Sequence, residues 1–192
     1  TDGTYIISAR HSGKNIEVSS SSTANGANVQ QWSSNGRDNQ KWIIKNIGDG
    51  FVTIKAKHSN KFMDISNAST ANGANLHTWG NVANTQTHRQ FKLIPKGNGY
   101  YNIQSRKSGK CLDVQSRSTA NGGNIHQWDC TNNFQHQEFK FESTNGSKIS
   151  KNTLDRLGIK LYPNPVKDVL NLSYSEQAIK AKSIVIYNAI GT

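Results

Sequence analysis

The heptapeptide Ser-Thr-Ala-Asn-Gly-Ala-Asn stands at residues 22–28, returns at 69–75, and returns again at 118–124 with Gly123 in sixth place. Trp32, Trp79 and Trp128 keep the same spacing, as do the glycine-led segments that open at residues 3, 50 and 99. Similarity at a fixed period of this length indicates a repeat architecture. The sequence therefore predicts three copies of one unit, at residues 3–49, 50–98 and 99–143.

Each copy contains about four short runs in which apolar and polar residues alternate. In the first copy these runs lie at 5–8, 15–18, 29–32 and 41–44. Short strands at such even spacing are typical of an all-β sandwich or barrel, and six Asn-Gly dipeptides suggest tight turns between them. Hydrophobic residues make up only 33% of the chain, so we expect the three copies to share one core. Closure of the copies on one another would also remove open sheet edges.

The chain is strongly basic, with a formal net charge of +11 from 23 Lys and Arg against 12 Asp and Glu. This balance suits a polyanionic partner, either nucleic acid or an acidic polysaccharide. The basic residues are scattered singly, so nucleic acid is disfavoured, while an acidic polymer stays open as an alternative partner. No stretch reaches the roughly 18 apolar residues of a membrane span, which argues against membrane insertion. The start at Thr1, without Met or an apolar signal segment, is interpreted as a processed product or an excised fragment.

The third copy joins two recognisable segments to its heptapeptide, Lys110-Cys111-Leu112-Asp113-Val114 and Ile125-His126-Gln127-Trp128-Asp129-Cys130. With Gln40-Lys41-Trp42 of the first copy, this pattern resembles the ricin-B lectin repeat, and the resemblance covers residues 3–143. It implies a β-trefoil like those of family 13 carbohydrate-binding modules, which are attached to glycoside hydrolases and polysaccharide lyases. It also implies a disulfide between Cys111 and Cys130, and hence an oxidising compartment.

Each copy offers, at matched positions, the side chains that a sugar requires. A pyranose needs a carboxylate to accept hydroxyl hydrogen bonds, an aromatic ring for its apolar face, and amide or imidazole groups for the remaining donors and acceptors. The resemblance implies that the carboxylate and the aromatic residue are the principal contacts. The candidate carbohydrate-binding residues are Asp113, His126, Trp128, His136 and Gln137 in the third copy, Asp64, His77, Trp79 and His88 in the second, and Glu17, Gln30, Trp32, Asn39 and Gln40 in the first.

The three candidate pockets differ in ways that predict a ranking. Glu17 is one methylene longer than the family's Asp, which changes the reach of the carboxylate in the first copy. Arg89 stands in the second copy where the family has Gln, and the segment after Trp79 is longer there. We therefore expect the third pocket to bind best, the second next and the first least.

Several of these residues have alternative structural roles. The three repeated Trp could stack on sugar or belong to the core, and Gln40 and Gln137 could bond strand backbone or orient the neighbouring carboxylate. Core positions are expected for Trp42, Phe91 and Phe139, and His11 and His58 are interpreted as solvated loop residues.

The leading functional hypothesis is non-catalytic carbohydrate binding, by a polysaccharide-targeting module of a larger secreted glycoside hydrolase or polysaccharide lyase. Galactose-, xylose- and arabinose-containing polymers are all open as ligands, including anionic ones. A glycosidase in its own right is disfavoured, because hydrolysis uses two carboxyls about 5–10 Å apart and each pocket offers one. Two cysteines and dispersed histidines lack zinc-site spacing, and phosphate-binding and nucleophile motifs are absent from the sequence. No metal and no cofactor are therefore expected.

The last 49 residues have a different character. Residues 144–157 are polar and are interpreted as a linker, and two alternating runs follow at 166–174 and 182–188. The sequence from Leu161-Tyr162-Pro163-Asn164-Pro165 onward is similar to the start of the C-terminal sorting domain of type IX secretion. The similarity implies a partial sorting domain at 158–192 and a protein that is secreted or held at the cell surface.

Overall fold

The computed structural model describes residues 2–80, 85–132 and 134–144, together with two backbone strands at 160–162 and 171–173. The chain divides into two units, Thr1–Asn145 and Gly146–Thr192. The described residues of the first unit form twelve strands: β1 (Gly3–Ala9), β2 (Asn15–Val18), β3 (Ala27–Trp32), β4 (Lys41–Gly48), β5 (Phe51–Ala56), β6 (Phe62–Ile65), β7 (Leu76–Trp79), β8 (Gln90–Gly97), β9 (Tyr100–Ser105), β10 (Cys111–Val114), β11 (Gly123–Trp128) and β12 (Phe139–Ser143).

Six of these strands form a closed barrel. Each strand pairs antiparallel with the next in the order β1, β4, β5, β8, β9 and β12, and β12 pairs back with β1. The other six form three hairpins, β2–β3, β6–β7 and β10–β11. Strand β3 pairs with both β7 and β11, and Asn75 bridges to His126, so the hairpins also meet one another. The predicted all-β, closed, pseudo-threefold β-trefoil is confirmed.

The core lies inside the barrel and under the hairpins, and all three copies contribute to it. Trp42, Phe91 and Phe139 are fully buried, which confirms the expectation for these matched positions. The indole Nε1 of Trp42 donates a 2.9 Å hydrogen bond to the carbonyl of Ile16. The Trp42 ring is therefore held where strand β4 of the barrel meets strand β2 of the first hairpin.

The Asn-Gly dipeptides have two structural roles. Asn98 and Gly99 join β8 to β9, and both have positive φ values, 51° and 77°. Positive φ at both central residues is typical of a tight two-residue hairpin turn, in which Asn-Gly is favoured. The dipeptides at 25, 72 and 121 form tight turns inside the longer loops of the three hairpins, and two of these turns are closed by amide-to-carbonyl hydrogen bonds, from Ala74 to Ala71 (3.4 Å) and from Gly123 to Ala120 (3.3 Å). We call the repeated heptapeptides, at 22–28, 69–75 and 118–124, the docking loops.

Each docking loop is hydrogen-bonded to the next copy. The amide of Gly26 donates to the carbonyl of Thr78 (2.8 Å), that of Gly73 to Gln127 (2.9 Å), and that of Gly122 to Gln31 (2.9 Å). The third loop thus returns to the first copy and closes a ring. The last residue of each loop, Asn28, Asn75 or Asn124, donates its side-chain amide to the side-chain oxygen of another in a closed cycle at 2.8–3.0 Å. We call this cycle the asparagine ring.

The few described residues of the second unit form two further strands, β13 (Lys160–Tyr162) and β14 (Asn171–Ser173), which pair antiparallel. Strand β14 falls within the alternating run at 166–174, whereas the run at 182–188 and most of the linker at 144–157 lie outside the described residues. In the described part of the chain, no helix is long and apolar enough to cross a membrane.

Candidate carbohydrate-binding pockets

The third pocket surrounds the carboxylate of Asp113, which projects from β10 and is 5% exposed. His126 Nε2 lies 3.3 Å from Asp113 Oδ1, and His136 Nε2 lies 3.3 Å from Oδ2. Gln137 Nε2 donates to Oδ2 at 2.8 Å and also to the carbonyl of Asp129 at 3.0 Å. Four of the predicted residues therefore meet at one buried carboxylate, two from the paired strands β10 and β11 and two from the 3₁₀ turn at 135–137.

The second pocket repeats this arrangement around Asp64, on β6. The Nε2 atoms of His77 and His88 both lie 3.6 Å from Asp64 Oδ1. Arg89 takes the place of the glutamine, and its Nε donates to Asp64 Oδ2 at 2.6 Å. Because Arg89 and Asp64 are both about 95% buried, a charge-paired guanidinium lies at the base of this pocket.

The first pocket is built on Glu17, on β2, and its carboxylate is surrounded by amides. Gln30 donates to Oε1 at 3.0 Å, and Asn35, Asn39 and Gln40 donate to Oε2 at 3.3, 3.2 and 2.9 Å. An ionised carboxylate has about four acceptor positions. The protein's own side chains therefore occupy most of the acceptor capacity that a sugar would use.

The three repeated Trp side chains are exposed, with 39% of Trp32, 39% of Trp79 and 43% of Trp128 accessible. They do not belong to the core, so the core alternative is wrong for them, and sugar stacking stays a prediction. In the second and third pockets the indole lies against the neighbouring histidine, with ring centroids 5.4 and 5.5 Å apart. The Cζ3 atom of each indole lies close to the Asn-Gly turn of the preceding docking loop, where a Cβ added to the glycine would be 3.8 Å away.

Burial lowers the pKa of both His88 and His136, although the nearby carboxylate acts in the opposite direction. Both imidazoles are therefore neutral at pH 7, with one nitrogen as donor and the other as acceptor. A buried carboxylate, neutral imidazoles and an exposed indole can together bind the hydroxyls and the apolar face of a pyranose.

Gln40 and Gln137 fill both of the roles that the sequence left open. Each donates to the pocket carboxylate and to a backbone carbonyl, Ser33 for Gln40 and Asp129 for Gln137. Their amide groups thus fix the carboxylate relative to the strand end.

The interpretation of His11 and His58 as solvated residues is wrong. His11 Nε2 lies 2.8 Å from the carbonyl of Ser118, and His58 Nε2 lies 3.0 Å from the carbonyl of Ser22. Both Nδ1 atoms are buried. These histidines hold the docking loop of another copy, a role that sequence spacing alone does not reveal.

Sequence reasoning missed two residues beside the third pocket. Phe134 is 40% exposed and stacks on His136 with ring centroids 5.1 Å apart. The guanidinium of Arg117 lies 4.9 Å from the Phe134 ring centroid. Phe134 has no counterpart in the other copies, and its one signal is an apolar side chain in a polar loop.

The predicted disulfide is confirmed. Cys111, at the start of β10, is bonded to Cys130, just after β11, with Cα atoms 5.0 Å apart. Among the described residues, no group of three His, Cys, Asp or Glu side chains is arranged to hold a metal ion.

The fold and these pockets define a lectin-type β-trefoil, and comparison with known families agrees. The profile of the ricin-type beta-trefoil lectin domain-like family matches residues 1–79 and 85–153, and the chain belongs to this family. Residues 160–192 match the secretion system C-terminal sorting domain, which directs type IX secretion to the cell surface or the extracellular space.

Similar solved structures include natural and designed proteins. The designed threefold-symmetric protein ThreeFoil is 41% identical with a TM-score of 0.69, and the match covers 73% of this chain and 98% of ThreeFoil. An exo-β-1,3-galactanase from Clostridium thermocellum is 31% identical with a TM-score of 0.69, covering 73% of this chain but 30% of the enzyme. The Macrolepiota procera ricin B-like lectin, solved with lactose, shares the fold at 17% identity and a TM-score of 0.62, covering 73% of this chain and 94% of the lectin. Comparison with curated proteins gives no match.

Proposed function

We propose that the chain binds carbohydrate without catalysis, chiefly through the second and third pockets. The observation that carries this proposal is a buried carboxylate flanked by two imidazoles, one of which stacks on an exposed indole. Asp113 and Asp64 would accept hydroxyl hydrogen bonds, which are stronger to a charged acceptor than to a neutral one. Trp128 and Trp79 would pack against the C–H face of the sugar.

The first pocket is proposed to bind least. Its carboxylate already accepts four side-chain hydrogen bonds, and a sugar hydroxyl would have to displace one of them. The third pocket is proposed to bind neutral sugars best, because Asp113 keeps its charge unopposed by a buried cation.

A binding role is favoured over hydrolysis because the described part of each pocket contains a single carboxylate. Glycoside hydrolysis ordinarily requires two. We propose that the domain targets a larger secreted enzyme to a polysaccharide, since the matched galactanase carries a similar domain in 30% of its length. Galactose-containing polymers are the first ligands to test, followed by xylans and arabinans. Several weak pockets on one polymer would raise the apparent affinity through effective concentration.

A glycan array followed by calorimetry tests the proposal. Asp113→Asn keeps the volume of the side chain but removes the charged acceptor, and we expect it to weaken binding of the best neutral ligand about tenfold or more. Asp49→Asn is the matched control, because Asp49 is exposed in the turn between β4 and β5, outside the three pockets. An array without any sugar ligand, or equal affinities for both variants and the wild type, would contradict the proposal.

A further inference from the structure

Two substitutions add positive charge to the second pocket, whereas the third pocket has one cation of its own, the exposed Arg117, where the second copy has Ala68. Arg89 stands where the third pocket has Gln137, and Lys107 stands where the equivalent turn has His11. We propose, resting on the proposed function, that the second pocket is selective for an acidic saccharide and that Lys107 contacts its anionic group. A uronate carboxylate and a sugar sulfate share the required chemistry.

Arg89 removes the negative charge that the pocket would otherwise present. Its Nε–Oδ2 bond to Asp64 is 2.6 Å long, and both side chains are buried, so the attraction is weakly screened. In the third pocket a neutral amide occupies the same place beside Asp113. An anionic sugar would therefore meet a carboxylate without a buried cation partner in the third pocket and a charge-paired carboxylate in the second.

Backbone contacts place Lys107 at the rim of the second pocket. The amide of Arg106 donates to the carbonyl of Gln90 at 2.8 Å, which fixes the turn after β9 beside the 3₁₀ turn at 87–89. In the third pocket the amide of Arg10 donates in the same way to Glu138, also at 2.8 Å.

The residue that follows Arg10 or Arg106 in the chain lies beside a histidine of the pocket. In the third pocket it is His11, whose ring centroid lies 6.3 Å from that of His136. By the same relation Lys107 lies beside His88. Burial is the main cause of the lowered pKa of His88, and the positive charges of Arg89 and Lys107 lower it further.

Lys107 is also available to a ligand. It is exposed, and within residues 2–80, 85–132 and 134–144 it forms no ion pair. By contrast, Lys41, Lys57 and Lys110 are each paired with a carboxylate.

The test follows each pocket separately through its indole N–H signal in ¹H–¹⁵N NMR spectra. Trp79→Phe and Trp128→Phe assign the two signals, and the probes are lactose, digalacturonate and a sulfated galactobiose. We expect the Trp79 signal to report an affinity about five- to tenfold higher for an acidic probe than for lactose, and the Trp128 signal to report the reverse order. Lys107→Gln should abolish the preference at Trp79 and leave Trp128 unchanged. Lys92→Gln, which removes one exposed charge on β8, is the control for net charge.

The outcomes separate this inference from the proposed function. A Trp79 signal that responds equally to neutral and acidic probes, and is unaffected by Lys107→Gln, overturns the inference but leaves sugar binding intact. A Trp79 signal that responds to none of the probes contradicts sugar binding at this pocket altogether. A response to a short oligonucleotide as strong as that to the acidic sugars would also overturn the inference, because it would indicate a general polyanion surface. A preference for either the uronate or the sulfate supports it and identifies the anion.

Discussion

Gln127 links the third copy to the second docking loop, and its replacement gives a sharp test of how the ring of copies is held. The side chain is fully buried on β11. Its Nε2 donates to the carbonyls of Ser69 (3.0 Å) and Ala71 (2.9 Å), and its Oε1 accepts from Ser108 Oγ (2.8 Å). Three hydrogen bonds therefore depend on one amide group.

The other two copies supply natural comparisons. Gln31 makes the same three bonds to the third docking loop and to Ser12, at 2.6–3.0 Å. The second copy has Thr78 in this position, and in the described part of the chain the hydroxyls of Thr78 and Ser59 are buried without a hydrogen-bond partner. The backbone bond from the docking loop is present in all three copies, so the side chain is the variable.

Gln127→Thr should lower the free energy of unfolding by about 3 kcal/mol, because three net hydrogen bonds of about 1 kcal/mol each are lost. For a domain of this size, that corresponds to a fall of about 6–12 °C in Tm. Thr78→Gln should raise the free energy of unfolding by about 1 kcal/mol. The added side chain can bond Ser59 and the first docking loop, but it loses rotamer entropy on ordering.

Urea unfolding followed by tryptophan fluorescence measures both changes. Gln127→Met is the control for packing, since it keeps the side-chain volume and removes the polar atoms. If Gln127→Met or Gln127→Thr unfolds within 0.5 kcal/mol of the wild type, the side-chain bonds to the loop contribute little and the reasoning is refuted. A Thr78→Gln protein that is less stable than the wild type would contradict the equivalence of the three positions.

Three further predictions concern stability. Replacing Cys111 and Cys130 by Ser should lower the free energy of unfolding by about 3 kcal/mol, because the bridge closes a loop of roughly 20 residues in the unfolded chain; equal Tm values for the double variant and the non-reduced wild type would argue against this. Asn28→Ala opens the asparagine ring by removing two partly exposed hydrogen bonds. It should lower the free energy of unfolding, measured with urea, by about 1–2 kcal/mol, and an unchanged midpoint would show that the ring is not stabilising. Burial lowers the pKa of His88 and His136 in the folded protein. As the pH falls, the unfolded chain therefore binds protons at these residues before the folded protein does. Stability should accordingly decrease as the pH drops from about 6.5 through the lowered pKa values of the folded state. The fall should be smaller in His136→Gln, and a wild-type midpoint equal at pH 7.5 and pH 5 would contradict it.

The pocket residues could be predicted because they occupy equivalent positions in a repeated unit. Asp64 and Trp79 lie on the two paired strands of one hairpin, and Asp113 and Trp128 lie in the same way on another, so the matched spacing brings a carboxylate and an indole close together in each copy. Phe134 and Lys107 could not be found in this way. Phe134 has no counterpart in the other copies, and Lys107 reaches the second pocket from a different copy.

The sequence by itself determined the all-β class, the three copies and the residues that face inward. Alternation along a strand and the spacing of the copies are local properties, and they are legible without knowing which strand meets which. Only the tertiary structure decided how the copies are joined, because each docking loop bonds to the copy that follows it and the third returns to the first. Ring closure brings together residues that are far apart in the chain, such as His11 with Ser118 and Asn28 with Asn124. The tertiary structure likewise decided that amides saturate the carboxylate of Glu17 but not that of Asp113. The acceptor capacity that a carboxylate has left for a ligand depends on every donor within reach.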